Sequence, residues 1–140
     1  MSRIQLALNV DDVEAASAFY SKLFGVAPAK SRPGYVNFAI ANPPLKLVLL
    51  ENPGKGGTLN HLGVEVETVD EVEAEQTRLA EAGLASTDER DTTCCYARQD
   101  KFWVEGTPGG ERWEIYTVLA DSETFFAEPA DALTTSSSCC

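Results

Sequence analysis

The chain states one short plan twice, and that repetition restricts its fold more than any other feature. The first copy opens on Arg3-Ile4-Gln5-Leu6-Ala7-Leu8-Asn9-Val10. Ile4, Leu6, Leu8 and Val10 alternate with Gln5, Ala7 and Asn9, the period of a strand with one strongly apolar face. Asp11 or Asp12 then supplies a helix cap, with Glu14 in the first turn. Val13, Ala16, Tyr20, Leu23 and Phe24 form a helical stripe that Gly25 ends. Strand patterns follow at Tyr35 to Ile40 and Leu45 to Leu50, set off by Pro33-Gly34 and Asn42-Pro43-Pro44. The second copy opens on Asn60-His61-Leu62-Gly63-Val64-Glu65-Val66. Thr68-Val69-Asp70-Glu71 is a capping-box pattern. The helix it starts turns Val72, Leu79 and Ala80 inward and runs to Gly83. Strand-like pieces recur around Tyr96, at Lys101 to Glu105 and at Glu111 to Val118. Asn52-Pro53-Gly54-Lys55-Gly56-Gly57 reads as the linker between the copies.

Each copy is thus a strand, a helix and about three further strands. The expected class is α+β, built from two βαβββ modules at 3–51 and 60–118 within a domain of residues 1–124. Two curved sheets, each with a helix on one face, would leave a concave face for a site. Periodicity fades from about Phe125, so residues 125–140 are expected to form a flexible tail. At 140 residues, with 44 % apolar and 24 % charged side chains, the chain has material for one domain with a real core. The net charge of −11 argues against nucleic acid and anionic membrane as partners. No apolar run approaches the length of a membrane span, and Met1-Ser2-Arg3-Ile4-Gln5 lacks a signal-peptide core. The expected compartment is the cytoplasm, where thiols stay reduced.

Three polar side chains share a parity. Gln5 lies opposite Ile4, Leu6 and Leu8; His61 lies opposite Leu62, Val64 and Val66; Glu114 lies opposite Trp113 and Ile115. If the apolar faces meet the helices, all three polar groups point to the other face. Gln5 and His61 also occupy equivalent places in their copies. An amide oxygen, an imidazole and a carboxylate suit a divalent metal and leave positions open. The competing readings are a polar strand surface for Gln5, a histidine that is no ligand, and an ion pair of Glu114 with Arg112 or Arg98.

The cysteines come only as neighbours: Cys94-Cys95 inside Thr92-Thr93-Cys94-Cys95-Tyr96-Ala97, and Cys139-Cys140 behind three serines. Two thiolates can close a chelate on one soft atom. Neighbours on a regular strand point to opposite faces, so Cys94 and Cys95 can share an atom only on irregular backbone. The polar stretch Thr87 to Thr93 reads as a mobile loop that carries them. Arg90, Arg98 and Lys101 would supply positive potential for thiolates. Tyr35, Tyr96 and Trp103 are candidate pocket walls or ordinary strand aromatics.

The duplicated plan, with a candidate ligand on the first strand of each copy and another on the last strand, resembles the vicinal-oxygen-chelate superfamily, which includes glyoxalase I, extradiol dioxygenases and fosfomycin-resistance proteins. The combination of Gln5, Asn60-His61-Leu62-Gly63-Val64, Thr92-Thr93-Cys94-Cys95 and Glu114-Ile115-Tyr116-Thr117-Val118-Leu119-Ala120-Asp121 is more narrowly similar to the bacterial organoarsenical C–As lyases, relatives of proteins labelled cadmium-induced. The resemblance spans Arg3 to Val118. It implies that Gln5, His61 and Glu114 bind Fe(II), a site that Zn, Mn, Ni or Co can also occupy. It implies that Cys94 and Cys95 bind a trivalent organoarsenical, and that dioxygen is used to break the carbon–arsenic bond, methylarsenite giving arsenite and formaldehyde. Two departures from the commoner superfamily pattern stand out. Gln5 replaces a histidine, and Leu45 to Leu50 offers no fourth ligand, which favours an open site. No proton-transfer residue is assigned beyond the metal ligands; Lys101 and Tyr96 are the candidates. Cys139 and Cys140 are accessory thiols. A monomer or a homodimer is expected. The alternatives are a non-catalytic cadmium or arsenite binder and a metal-dependent thiol transferase or isomerase of the same superfamily.

Overall fold

The computed structural model describes residues 2–126. Cys139-Cys140, and the expected tail beyond Phe126, lie outside the described residues. The contacts divide the chain into two compact units, Arg3–Leu62 and the part from Gly63 onward.

The first unit contains β1 (Arg3–Val10), α1 (Val13–Phe24), β2 (Lys30–Arg32), β3 (Tyr35–Ile40), β4 (Leu45–Glu51) and the start of β5 (Leu59–Glu65). Its hydrogen-bonded strand order is β2-β3-β4-β1, with β1 parallel to β4 and the β2–β3 and β3–β4 pairs antiparallel. The helix begins where the sequence places it. Asp12 accepts from the backbone N–H of Glu14 and Ala15, and Gly25 takes the left-handed conformation that ends the helix. A cap of this kind contributes about 1 kcal/mol. Val13, Ala16, Tyr20 and Phe24 pack onto Val36, Phe38, Leu47, Leu49, Leu6 and Leu8. Leu23, expected in that stripe, is instead 59 % exposed, because the helix turns only a narrow arc toward the sheet. The linker is also firmer than its glycines suggest. One oxygen of Asp11 accepts from Gly54 N–H at 2.7 Å and Gly56 N–H at 3.0 Å. A Cβ on Gly56 would stand 2.5 Å from the same carboxylate, so a larger residue there would push the Asp11 side chain out of this grip.

The second unit takes the end of β5, then α2 (Val69–Glu81), β6 (Ser86–Cys94), β7 (Ala97–Val104) and β8 (Trp113–Asp121). The strand order β5-β8-β7-β6 repeats that of the first unit. Thr68 Oγ1 caps α2 by accepting from Glu71 N–H, and the Glu71 carboxylate reaches back to Glu67 N–H. Two hydrogen bonds from Arg78, one turn on, hold the Glu75 carboxyl below its ordinary range. Val72 and Leu79 meet Val66, Phe102 and Ile115, whereas Ala80, expected inward, is exposed.

Three expectations fail in this unit. Thr87 to Thr93 is not a loop: it belongs to β6, paired to β7 with a register shift between Glu89 and Thr92. β6 ends the strand order, so polar side chains are tolerated along it, and Gln76 of α2 holds it through Ser86, Asp88 and Arg90. Tyr96 is not in a strand but in the turn that joins β6 to β7. Finally, Phe125 and Phe126 do not begin a loose tail. Phe126 bridges to Cys94 antiparallel, and the Phe125 ring packs edge-on against Tyr96 at 5.4 Å.

Candidate functional site

In the first unit the parity argument holds. Gln5, Ala7 and Asn9 are buried, more deeply than Leu6 and Leu8 on the helix side of the same strand. Gln5 is 4 % exposed and His61, on β5, is 1 % exposed. Their side chains meet: Gln5 Nε2 lies 3.1 Å from His61 Nε2. The other ring nitrogen, Nδ1, lies 2.7 Å from Asn60 Oδ1. Burying polar groups costs free energy unless hydrogen bonds offset it, so a buried polar pair on facing strands is not ordinary surface.

In the second unit Glu114 is 4 % exposed. Lys101 Nζ donates to Glu114 Oε1 at 3.1 Å, and Lys101 is fully buried. Register places Trp103 opposite Glu114 and Lys101 opposite Tyr116, so these four share the face away from α2, while Phe102 and Ile115 take the helix side. Lys101 Nζ sits 5.0 Å from the Trp103 ring centre, and the Arg112 guanidinium stacks on that ring at 4.1 Å. Trp103 Nε1 donates to Glu89. The expected thiolate-side cations therefore each have an acidic neighbour: Arg90 meets Asp88, Arg98 meets Asp91 and Lys101 meets Glu114.

Cys94 closes β6 and pairs with Ala97 of β7, leaving Cys95 and Tyr96 as a two-residue turn. Both turn residues have positive φ, 53° and 59°. That is what a type I′ hairpin requires, and asparagine or glycine normally supplies it. The irregular backbone brings the two Sγ atoms to 3.4 Å. Cys94 is completely buried and Cys95 is half-buried. Ser122 N–H donates to the Tyr96 carbonyl, so the turn is braced from the end of β8 as well as by Phe125 and Phe126.

Sequence reasoning missed Gln99. It shares the β7 face of Lys101 and Trp103, its Nε2 donates to the Cys94 carbonyl at 2.9 Å, and its Oε1 is buried without a hydrogen-bond partner. The period-two relation to Lys101 was the available signal. Tyr35 is buried in the first unit, where its hydroxyl accepts from Asn37.

Among the described residues no three His, Cys, Asp or Glu side chains cluster as a metal site. The expected donor set contains only two residues of those types, His61 and Glu114. Two surface clefts, one between α1 and the β2–β3 turn and one beside α2, are lined by none of the candidate residues. Among the described residues no helix is long and apolar enough to cross a membrane.

Residues 3–115 match the family model of the glyoxalase/bleomycin resistance protein/dioxygenase superfamily. The cadmium-induced protein CadI of Mycobacterium tuberculosis is 71 % identical over 129 residues, covering 92 % of this chain and 84 % of its own. The trivalent organoarsenical cleaving enzyme of Thermomonospora curvata is 62 % identical over 125 residues, covering 89 % and 82 %. The fold is similar to that of the Mn(II)-bound glyoxalase of Novosphingobium aromaticivorans, with a TM-score of 0.57 at 17 % identity over 87 % of this chain and 42 % of that one.

Proposed function

The chain belongs to the glyoxalase/bleomycin resistance protein/dioxygenase superfamily, and on that premise we propose that it cleaves the carbon–arsenic bond of trivalent organoarsenicals with dioxygen and Fe(II). The observation that carries the reading is the Cys94–Cys95 turn. Thiolates about 2.3 Å from a shared soft atom, with their sulfurs 3.4 Å apart, subtend an angle of roughly 95° at that atom. That near-right angle suits a pyramidal three-coordinate centre with a lone pair, and trivalent arsenic is such a centre. A monosubstituted arsenical has two exchangeable positions, which two thiolates fill. Arsenite has three and leaves one unfilled, so the pair holds substrate more tightly than product and favours turnover.

Gln5, His61 and Glu114 are the residues proposed to hold the metal. What supports this is their chemistry and burial: an imidazole with Nδ1 engaged elsewhere, an amide against its Nε2, and a deeply buried carboxylate. Iron(II), if held by these residues, would supply dioxygen activation. The stoichiometry then closes without an added reductant. Methyl carbon gives up four electrons in becoming formaldehyde, dioxygen takes four, arsenic stays trivalent, and CH3As(OH)2 plus O2 gives As(OH)3 plus HCHO. The chain's own groups bind and orient. Cys94 and Cys95 fix the arsenic, and Lys101 balances the Glu114 charge in the metal-free protein and holds a proton one hydrogen bond from it.

The name of the more similar relative records induction by cadmium and specifies no reaction, whereas the name of the Thermomonospora protein specifies one. The two readings separate in one assay. The protein is loaded anaerobically with Fe(II) and methylarsenite, and dioxygen is then admitted. Formaldehyde and arsenite are expected in equal amounts over many turnovers. Binding without turnover would replace the lyase with a sequestering protein.

A further inference from the structure

The donor and acceptor roles around His61 are fixed by a chain of hydrogen bonds that begins at a backbone carbonyl. The Lys55 carbonyl can only accept, so the Thr58 hydroxyl donates to it, at 2.7 Å. With its proton committed, Thr58 Oγ1 accepts from Asn9, and the Asn9 atom 2.9 Å away is therefore Nδ2. That turns Asn9 Oδ1 the other way, where it accepts from Asn60 Nδ2 at 2.9 Å and from Asn52 Nδ2 at 2.7 Å. Asn60 in turn presents Oδ1 to His61 Nδ1 at 2.7 Å. An amide oxygen cannot donate, so Nδ1 carries the proton. The opposite nitrogen, Nε2, keeps its lone pair and accepts from Gln5 Nε2 at 3.1 Å.

We infer that Thr58, Asn9 and Asn60 are positioning residues that lock His61 as the Nδ1–H tautomer, with the Nε2 lone pair turned toward Gln5. The anchor is the linker. Lys55 and Thr58 lie on the segment that Asp11 pins through Gly54 and Gly56, and Asn52 adds a second donor to Asn9. A loop between two modules thus decides which histidine nitrogen is available. The ring could otherwise satisfy Nδ1 or Nε2 with equal ease, since both nitrogens lie beside a side-chain amide that can rotate. The lock removes that choice on the Nδ1 side, and a cation taken up at Nε2 displaces the Gln5 hydrogen bond. The Gln5 amide then serves through its oxygen, because an amide nitrogen has no donor pair to give. The step from lone pair to metal rests on the function proposed above; the tautomer does not.

His61 is the only histidine in the chain, so side-chain nitrogen NMR reads its tautomer without assignment. The full-length metal-free protein is measured in mildly alkaline buffer. A single Nδ1–H tautomer is expected. Thr58 is exposed, so Thr58→Val and Thr58→Ser are expected to fold. Val removes the hydroxyl and should give mixed tautomers, whereas Ser keeps it and should restore the single form. Asn60→Ala should shift the ring toward Nε2–H and weaken Mn(II) binding, followed by calorimetry, by about 10- to 100-fold. A wild-type Nε2–H form would overturn the inference, as would a Thr58→Val tautomer unchanged from wild type. If the wild-type tautomer is as expected but Mn(II) does not bind, the metal reading fails and the relay stands. If Mn(II) binds a protein of mixed tautomer, the relay fails and the metal reading stands.

Discussion

Cys94→Ser and Cys95→Ser each weaken methylarsenite binding by about 10²- to 10⁴-fold, the range that separates a two-point attachment from a single one. The reason is geometric. The first sulfur captures the arsenical from solution, and the second is then already 3.4 Å away, so its attachment is intramolecular. Replacing either sulfur with oxygen leaves one soft contact and no closed ring. Serine retains the size of the side chain, so the buried Cys94 position is not emptied and the hairpin should survive. The measurement is a titration of wild type and both variants with methylarsenite and with arsenite, alongside far-UV circular dichroism. Wild type should prefer methylarsenite; each variant should lose most of its affinity for it with the spectrum unchanged. Undiminished affinity in both variants would remove the cysteine turn from the reaction and with it the proposed substrate.

Lys101→Met destabilises the metal-free protein by about 3–5 kcal/mol, because it removes the cation that pairs with the buried Glu114 carboxylate. For a domain of this size that is roughly a 10–20 °C fall in Tm. Methionine has nearly the length of the lysine stem, so a lost charge rather than a cavity is being tested. The double variant Lys101→Met/Glu114→Leu should recover most of the loss, since a buried ion pair and an apolar pair of similar volume are often close in stability. A small effect of the single variant would mean that Lys101 is not what offsets the burial of Glu114. A second comparison bears on the metal. If Glu114 is a metal donor, a divalent cation takes over the neutralising role of Lys101, and saturating Mn(II) should raise the Tm of Lys101→Met more than that of wild type. An equal rise in both would take Glu114 out of the donor set.

The legible parts of this molecule were those where one residue type has one physical use. Asp12 and Gly25 bound α1 because a capping carboxylate and a left-handed terminus are hard to replace. Thr68 and Glu71 did the same for α2. Strand alternation placed Gln5, His61 and Glu114 on the faces away from the helices, and all three are buried there. The parts that misled have equally definite causes. β2 is only Lys30–Arg32, too short and too charged to show a period. β6 is polar on both faces because it ends the strand order, and polar alternation looks like a loop. The β6–β7 turn has Cys95-Tyr96 where a hairpin signal would have asparagine or glycine. Lys101 reads as a surface residue until Glu114 is found beside it. The linker reads as slack until Asp11 is found gripping it. For Lys101 and the linker the deciding partner is distant in sequence, and no local pattern announces it.

The left-handed turn at Cys95 and Tyr96 bears on how a chain like this is selected. Holding a side chain in that conformation costs about 1–2 kcal/mol per residue, and glycine would avoid the cost at either position. A search guided by thermal stability alone would therefore drift toward glycine at Cys95 and discard half of the thiol pair. A chain that keeps cysteine there forgoes stability at the turn where the Cys94 and Cys95 sulfurs can face the same atom. For anyone engineering this protein, Cys95 is the position at which a consensus or stability score should be overruled.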